Sequence, residues 1–295
     1  MTTTQQQITE RIKSLIEHST QVKISKQLGI SEAYLTYIKT GKWDSISDAL
    51  TNRLKVHFRL DGWKTLATPN YVTMKNLYED VKNNHRFIGI SAFTGAGKTT
   101  ALVKFTSEDP EGYYILGDVL MNQVSFLQAV QQAIGISDGS TKAALMKAII
   151  ERLLSEEKPV IVIDDAGKLS DACFRLLQII YDRTEGNVGF IIAGTEYLKR
   201  NLDRCAQKDK MGFRELKRRI AYWQPLHRPK DSIVAEICHK YQITDTKVLA
   251  WICKKTEDYG TLRNIIENLL RAADGNGQAV TMDIATRIAV GDWDT

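Results

Sequence analysis

The stretch "FIGISAFTGAGKTTALVKF" occupies residues 87–105 and decides how the rest of the chain is interpreted. It begins with an apolar run, continues through a loop of small residues, and ends in a helix-like pattern that starts near Lys98. A strand, a glycine-containing loop and a helix, in that order, form the setting in which backbone N–H groups bind a chain of phosphates. The stretch therefore predicts a phosphate-binding loop between a strand and a helix.

The phosphate-loop pattern G-x-x-x-x-G-K-[ST] fits residues 92–99 at every fixed position except the first, where Ala92 replaces glycine. The glycines let backbone N–H groups converge on phosphate oxygens, Lys98 reaches the β- and γ-phosphates, and Thr99 ligates Mg²⁺. A chance glycine-rich turn is the alternative, and the flanking strand and helix weigh against it. The pattern predicts the cofactors ATP and Mg²⁺, bound by Gly95, Ala96, Gly97, Lys98, Thr99 and Thr100.

An acidic strand end follows in "KPVIVIDDAGKLS", residues 158–170, where Asp164 and Asp165 close an apolar run. One carboxylate at such a place holds the hydration shell of Mg²⁺, and the next polarises the attacking water. We assign the metal role to Asp164 and the catalytic role to Asp165. ATP hydrolases with this arrangement usually carry Glu at the second position. Because the Asp165 side chain is shorter than Glu, we expect slow hydrolysis.

Two later segments supply further candidates for the nucleotide site. "VGFIIAGTEYL", residues 188–198, predicts a strand that ends at Thr195, a polar residue placed to sense the γ-phosphate. The segment 199–219 then carries nine Lys and Arg against three Asp and Glu and ends at Arg219. Such a segment is either a binding surface for a polyanion or a solvated face. Finally, "YGTLRNIIENLL" opens a helix with Gly260 and Arg263.

The N-terminal part of the chain has a helical pattern that resembles the helix-turn-helix of Cro-type repressors. Ile8, Ile12, Leu15 and Ile16 form one apolar stripe, and "QVKISKQLGISEAYLTYIKTGKW" (21–43) follows. Gly29 is expected to end the first helix of the motif, and Ser31 to cap the second. The alternative is a three-helix module that docks on protein. The predicted DNA contacts of this domain are Tyr34, Tyr37, Lys39 and Lys42.

The remaining pattern predicts an α/β fold with three domains. Four apolar runs, at 87–92, 113–117, 160–164 and 190–194, alternate with helical stretches, which is typical of a mostly parallel sheet covered by helices. A loss of periodicity at 61–72 predicts a linker. After residue 226 the pattern is helical throughout. We therefore expect an all-α helix-turn-helix domain at 1–64, an α/β ATPase core at 65–225, and a helical lid at 226–295.

The composition excludes several classes of protein. Of the 295 residues, 25% are charged and 43% hydrophobic, and no apolar run approaches the roughly 20 residues of a membrane helix. The N-terminus lacks the apolar region of a signal peptide, and the four cysteines are scattered, so we expect a cytoplasmic protein with free thiols and no membrane partner. The net charge is +5, and residues 1–64 hold 10 basic against 6 acidic residues, which favours a polyanionic partner.

The order of the motifs resembles that of the AAA+ ATPases over roughly residues 70–290. With a Cro-like domain in front, the whole chain is similar to the transposon target-selection ATPases of the phage Mu B type. The resemblance implies ATP-driven assembly into an oligomer or helical filament on duplex DNA, and recruitment and stimulation of a transposase. It also implies that Thr195 acts as sensor 1 and Arg263 as sensor 2. Arg219 becomes the arginine finger offered to a neighbour's ATP, with Arg218 as its rival.

The resemblance places a DNA-binding face at the loop after the second strand and the helix beside it. Asn122 and Gln123 belong to that loop, and Thr141 with Lys142 form a second candidate at a predicted helix N-terminus. Two other functions stay open at this point. One is a replication ATPase similar to helicase loaders, and the other is a helix-turn-helix transcription regulator that senses ATP.

Overall fold

The computed structural model describes residues 3–18, 21–28, 30–57, 66–136, 139–276 and 280–290. The chain divides into two compact units. One unit comprises Thr65–Arg228 with Asp258–Gly260, and the other comprises Met1–Lys64, Pro229–Glu257 and Thr261–Thr295. The predicted linker at 61–72 is partly wrong. Residues 61–65 lie outside the described residues, but a helix already begins at Pro69.

Four helices form the N-terminal part: α1 (Thr3–His18), α2 (Gln21–Leu28), α3 (Glu32–Lys39) and α4 (Asp48–His57). Ser31 caps α3, as predicted, by accepting a hydrogen bond from the Tyr34 backbone N–H at 3.3 Å. Gly29 and the Leu15 side chain lie outside the described residues. The chain therefore forms a helix on each side of the predicted turn, and DNA reading by α3 stays a prediction. The buried apolar residues of this core include Ile8, Ile12, Ile24, Leu35, Ile38, Trp43 and Leu54.

A sheet of five parallel strands forms the centre of the other unit. The strands are β1 (Phe87–Ser91), β2 (Gly112–Leu116), β3 (Val160–Asp164), β4 (Gly189–Gly194) and β5 (Trp223–Pro225), in the spatial order β2-β3-β4-β1-β5. The first four coincide with the predicted apolar runs. Parallel strands present their carboxyl ends at one edge, so the residues that follow β1, β3 and β4 meet there.

Helices cover both faces of this sheet. On one face, α5 (Pro69–Asn84) and α6 (Lys98–Glu108) pack against side chains such as Ile88 and Val162. On the other face lie α7 (Gln123–Ala133), α8 (Lys142–Leu154), α9 (Asp171–Thr184), α10 (Glu196–Gln207) and α11 (Phe213–Arg219), around Phe87 and Ile163. Because neighbouring strand residues point to opposite faces, strands buried on both sides read as continuous apolar runs. That burial explains why the sequence pattern located them.

Four more helices follow the sheet, in agreement with the helical pattern after residue 226. They are α12 (Asp231–Lys240), α13 (Thr246–Lys255), α14 (Tyr259–Asn276) and α15 (Met282–Val290). Asp245 caps α13 by accepting hydrogen bonds from the N–H groups of Lys247 and Val248. Their buried residues include Val234, Ile237, Cys238, Val248, Ile252, Leu262, Ile266, Leu269, Ile284 and Ala285.

Candidate nucleotide-binding site

The predicted phosphate loop joins β1 to α6. The Ala92 N–H donates to the Gly194 carbonyl oxygen at 3.1 Å, so the loop starts against the carboxyl end of β4. Gly95 and Gly97 have φ angles of 81° and 88°, a left-handed conformation that glycine adopts without steric cost. Ala92 is buried in the apolar core beneath the loop. The methyl group that replaces the expected first glycine is therefore accommodated by packing.

Lys98 opens α6 and is only 7% exposed. Its Nζ donates to the carbonyl oxygens of Ala92 at 3.1 Å and Phe93 at 3.0 Å, which folds the side chain back over its own loop. Burial lowers the pKa of Lys98, and the negative charges of Asp164 and Asp165 oppose that shift. A partly dehydrated ammonium at the start of a helix is well placed to bind phosphate oxygens.

Asp164 is fully buried at the end of β3, where three groups of the site donate hydrogen bonds to it. Its carboxylate accepts hydrogen bonds from Thr99 Oγ1 at 2.6 Å, Tyr114 Oη at 3.0 Å and the Asp165 backbone N–H at 2.9 Å. Burial and the charge of Asp164 both raise the pKa of Tyr114, so its phenol stays a donor. The sequence pointed to Asp164 and Thr99 but not to Tyr114, which resembled any other strand tyrosine.

The donor atoms at this position suit Mg²⁺. Thr99 contributes a hydroxyl oxygen and Asp164 a carboxylate oxygen, and hard divalent cations prefer oxygen ligands. Within the described ranges, no group of three or more His, Cys, Asp and Glu side chains could hold a metal ion alone. Mg²⁺ typically takes one or two protein oxygens and completes its shell with phosphates and water. The residues present therefore fit a cation that is held together with a nucleotide.

Asp165 follows Asp164 with φ at 50°, in the left-handed region. Its Oδ2 accepts a hydrogen bond from Lys168 Nζ at 2.7 Å across a short 3-10 turn, Ala166–Lys168. Non-glycine residues in this conformation carry strain and are concentrated at functional sites, although Asp tolerates it better than most. The predicted catalytic carboxylate is thus present at the strand end, but it is held in an ion pair.

Thr195 directly follows β4 and precedes α10. It is exposed, and its hydroxyl makes no capping hydrogen bond to the helix. Since β4 pairs with both β1 and β3, Thr195 lies at the same sheet edge as the phosphate loop and Asp164. The structure therefore brings Lys98, Thr99, Asp164, Asp165 and Thr195 to one edge.

The predicted arginine residues have different surroundings. Arg219 ends α11, and its guanidinium lies 2.8 Å from Asp182 Oδ1 and 3.9 Å from Glu185 Oε1 of its own chain. Arg218 is exposed and, in the part of the chain that the structure describes, forms no ion pair. Arg263 lies on α14, in the other unit, and pairs with Glu267 at 2.8 Å.

Four of the predicted DNA contacts cap helices or bond each other. Asn122 caps α7, accepting hydrogen bonds from the N–H groups of Val124 and Ser125. Gln123 Oε1 accepts from Lys142 Nζ at 3.0 Å, so the first residues of α7 and α8 are neighbours. Thr141 caps α8. The four residues predicted from two separate segments therefore lie in one polar patch, in which Asn122, Thr141 and Lys142 are exposed and Gln123 is half-buried.

The N-terminal candidates lie on and beyond α3. Tyr34 is 38% exposed and meets the ring of Tyr37 edge-on at 6.3 Å between centroids. Tyr37 packs partly against the apolar core of the four helices. Lys39 and Lys42 are exposed. Tyr34 and Tyr37 therefore pack against each other on α3, the helix that was predicted to contact DNA.

Two residues that support the loop had no sequence signal. Asn70 donates to the Ala96 carbonyl oxygen at 3.3 Å and to that of His227 at 2.8 Å, and its Oδ1 accepts from the His227 N–H. Asp258 lies so close to Gly95 that a Cβ there would be 2.1 Å from its Oδ1. Both lie outside the loop segment, Asn70 before it and Asp258 long after it, and no local pattern marks them. Position 95 therefore requires glycine for two reasons: its φ angle is left-handed, and Asp258 occupies the space of a Cβ.

The sequence of the central part of the chain matches a known family. Residues 81–202 match the family model described as "AAA domain". The matched range begins in α5 and ends in α10, so it contains the phosphate loop, the acidic strand end and Thr195. No curated protein sequence matches the chain significantly.

Solved structures of AAA+ proteins share the fold. The Aeropyrum pernix ORC2 protein, solved as ADPNP and ADP complexes, has a TM-score of 0.57 and 13% identity over 78% of this chain and 71% of its own. The A. pernix ORC1 protein in complex with DNA has a TM-score of 0.55 and 12% identity, over 78% and 67%. A Thermotoga maritima RuvB variant has a TM-score of 0.51 and 17% identity, over 79% and 71%.

These similarities confirm the predicted α/β fold and the AAA+ resemblance of the core. At such low identities the structures support the fold alone, and the transposon-specific part of the resemblance stays a prediction. Among the described helices, none combines the length and apolar character needed to cross a membrane.

Proposed function

We propose that this protein is an ATPase that binds Mg²⁺·ATP in the loop 92–99. One observation carries the proposal: Thr99 Oγ1 and Asp164 Oδ2 lie 2.6 Å apart beneath a loop whose lysine is buried. This is the pairing of hydroxyl and carboxylate that holds Mg²⁺ in phosphate-loop ATPases. The AAA domain and an ORC2 relative solved with ADPNP support the same activity.

The chain's own groups suggest how hydrolysis would proceed. Loop N–H groups and Lys98 hold the phosphates, and Lys98 exchanges its bonds to the carbonyls of Ala92 and Phe93 for bonds to phosphate oxygens. Bound Mg²⁺ would neutralise charge on the β- and γ-phosphates. Asp165 orients a water whose oxygen bonds to the γ-phosphorus while the bond to the bridging oxygen breaks, giving ADP and phosphate. The proton of the water leaves through Asp165 to the released phosphate.

We further propose that ATP drives assembly of this protein as an oligomer or helical filament on duplex DNA. The basic balance of residues 1–64 and the basic segment 199–219 favour a polyanion. The polar patch of Asn122, Gln123, Thr141 and Lys142 offers amide, hydroxyl and ammonium donors for phosphates rather than a pattern for base edges. An ORC1 relative was solved in complex with DNA, which fits this class of partner.

The finer role that we propose is target selection in transposition, with a transposase as the partner. One support is the domain order, a predicted helix-turn-helix before an AAA+ core. The other is Asp165 in place of Glu, which suits slow hydrolysis and therefore a long-lived ATP-bound state. In this proposal the domains are 1–64, 65–225 and 226–295, and Arg219 and Arg263 act on the nucleotide. A helicase-loader-like replication ATPase and an ATP-sensing transcription regulator are the alternatives.

Electron microscopy with ATP and random-sequence duplex DNA tests the assembly. Filaments that form only with ATP are expected, because phosphate contacts carry no sequence requirement. Closed or cracked rings would favour the replication alternative. Isolated dimers on a single site would favour the transcription alternative. Adding a transposase and measuring its strand transfer near the filament then tests the finer role.

A further inference from the structure

Helix α10 presents a row of cations on the face that points away from the sheet. Its inward face is apolar, with Leu198, Leu202 and Cys205 buried in the core beside the strands. The outward positions recur every three or four residues, which is the spacing of one helix face. Four exposed side chains on that face, which we call the α10 stripe, are Tyr197, Arg200, Arg204 and, at the C-cap, Lys208.

The cations of the α10 stripe differ from their basic neighbours because they lack an acidic partner. Among the nine basic residues of segment 199–219, four pair with carboxylates: Lys210 with Asp171, Arg214 with Asp209, Lys217 with Asp203, and Arg219 with Asp182. Over the described ranges, no cation of the stripe forms an ion pair. Arg204 Nη2 donates instead to the neutral Asn201 Oδ1 at 2.7 Å. The stripe therefore keeps three positive charges that no carboxylate of these residues neutralises by direct contact.

The dimensions of the stripe suit the phosphates of a duplex. Arg200 and Lys208 are eight residues apart, which is about 12 Å along a helix that rises about 1.5 Å per residue. The major groove of B-DNA is about as wide, and phosphates line its two rims. Because α10 is packed on the core from Leu198 to Ala206, it can lie over a groove but cannot enter it. Its contacts would therefore go to phosphates and not to base edges.

Tyr197 gives the stripe an aromatic end that is held in place. It is 50% exposed, yet a Cβ on Gly167 would lie 3.6 Å from its Cδ1, so one edge of the ring lies close to the turn Ala166–Lys168. A side chain that is already restrained loses little freedom when it binds a partner. Tyrosine hydroxyls are also among the donors that proteins use for phosphate oxygens. Tyr197 thus extends the stripe with a fourth donor.

We propose that the α10 stripe binds the phosphate backbone of duplex DNA, in addition to the polar patch at 122–123 and 141–142. The inference rests on the proposed assembly on DNA and supplies that assembly with an electrostatic contact. Each phosphate that a cation contacts releases condensed counterions, whatever the base sequence. The stripe therefore contributes affinity without sequence preference, which assembly on random DNA requires.

The salt dependence of DNA binding by the full chain tests the stripe. Binding of a fluorescent random-sequence duplex is measured with a non-hydrolysable ATP analogue at several salt concentrations. Arg204→Gln should weaken binding about three- to tenfold at low salt, and reduce the slope of log affinity against log salt by about 0.9, the value of one phosphate contact. The triple variant Arg200→Gln, Arg204→Gln, Lys208→Gln should reduce it by about 2 to 3. Arg204→Lys keeps the charge and should keep the wild-type slope.

Lys199→Gln is the matched control. Lys199 is an exposed cation of the same helix without an ion pair in the described part of the chain, but it lies about 100° around the helix from Arg200, off the stripe. Its loss changes the net charge equally and should leave the slope unchanged. Every variant should bind a fluorescent ATP analogue as wild type does, because none of these residues belongs to the loop 92–99.

The possible failures are distinguishable. Wild-type affinity and slope in the triple variant, or an equal loss in Lys199→Gln, would overturn the stripe alone. Wild-type DNA binding together with lost oligomers in light scattering would also overturn it, and would assign the stripe to contact with another copy of the chain. A wild-type chain that binds no duplex in the presence of the ATP analogue would instead overturn the proposed assembly on DNA, and the inference with it.

Discussion

At the scale of single residues, Lys98 has to change partners for the site to work. Its ammonium donates to two carbonyl oxygens of its own loop, where phosphate oxygens are the stronger acceptors because they are charged. Burial lowers the pKa of Lys98, against the opposing charges of Asp164 and Asp165. Nucleotide binding would add further negative charge beside this ammonium.

Removal of the Lys98 ammonium should therefore weaken ATP binding and abolish ATP-dependent binding to DNA. We expect Lys98→Ala to weaken ATP binding roughly 10- to 100-fold, the equivalent of one charge-assisted hydrogen bond, and to lose ATP-dependent binding to DNA. Titration with a fluorescent ATP analogue measures the first effect and filter binding the second. Lys104→Ala removes a half-buried lysine from the same helix, outside the loop, and should bind ATP as wild type. Wild-type affinity in Lys98→Ala would remove Lys98 from the site.

Tyr114 is the residue-scale feature that the sequence did not indicate. Its hydroxyl orients the Asp164 carboxylate that also bonds Thr99. Tyr114→Phe should raise the Mg²⁺ concentration needed for half-maximal ATP binding several-fold and cost about 1 kcal/mol of unfolding free energy. Tyr113→Phe is the matched control, because it breaks a similar bond to Glu156 and should change stability only. Equal Mg²⁺ dependence in the two variants would show that Tyr114 does not support a metal site.

At the scale of elements, the phosphate loop depends on a segment from much later in the chain. Asp258 occupies the space beside Gly95, where a side chain would collide with it. We expect Gly95→Ala to lose ATP binding and to destabilise the fold by more than the about 1 kcal/mol that a left-handed alanine costs alone.

A second substitution, Gly186→Ala, separates the cost of the left-handed backbone from the collision with Asp258. Gly186 has almost the same φ as Gly95, 82° against 81°, but nothing lies within 4 Å of its missing Cβ. Gly186→Ala should therefore show the backbone cost alone and keep ATP binding. Thermal unfolding and nucleotide titration of both variants provide the comparison. If the two variants lose equal stability and both bind ATP, the packing of Asp258 on the loop has no energetic importance.

The elements also show what a sequence can and cannot predict. The strands were found because burial on both faces demands continuous apolar residues. Lys98 and Thr99 were predicted from the phosphate-loop pattern, and Asp164 from its place at the end of an apolar strand, because each signal lies within one short segment. Asn70, Tyr114 and Asp258 reach the site through tertiary packing between distant segments, which leaves no local signal. Asp165 and Lys168 are only three residues apart, but their pairing was not predicted, because nothing in the sequence indicated the left-handed conformation of Asp165.

In the proposed oligomer, one subunit completes the ATP site of another. Arg219 is proposed for this role, and it is 27% exposed and paired with Asp182 in its own chain. To reach a neighbour it must leave that partner, so assembly is opposed by a weak ion pair and favoured by the γ-phosphate charge.

Mixing two inactive variants tests this arrangement. Lys98→Ala keeps Arg219, and Arg219→Ala keeps an intact loop, so a mixture should regain part of the ATPase rate at shared interfaces. Asp182→Asn breaks the same ion pair but keeps the guanidinium, and should remain active. If Arg219→Ala and Asp182→Asn behave alike and the mixture gains nothing, Arg219 has a structural role only.

We propose that the edge formed by the phosphate loop and the Asp164–Asp165 turn hydrolyses ATP. The decisive test is phosphate release from Mg²⁺·ATP, measured together with ATP affinity in wild type and Asp165→Asn. We predict slow release by wild type, and an Asp165→Asn variant that binds ATP with similar affinity but releases at least about tenfold less phosphate and stays on DNA. Equal rates in the two proteins, or ATP binding without any release by wild type, would contradict it.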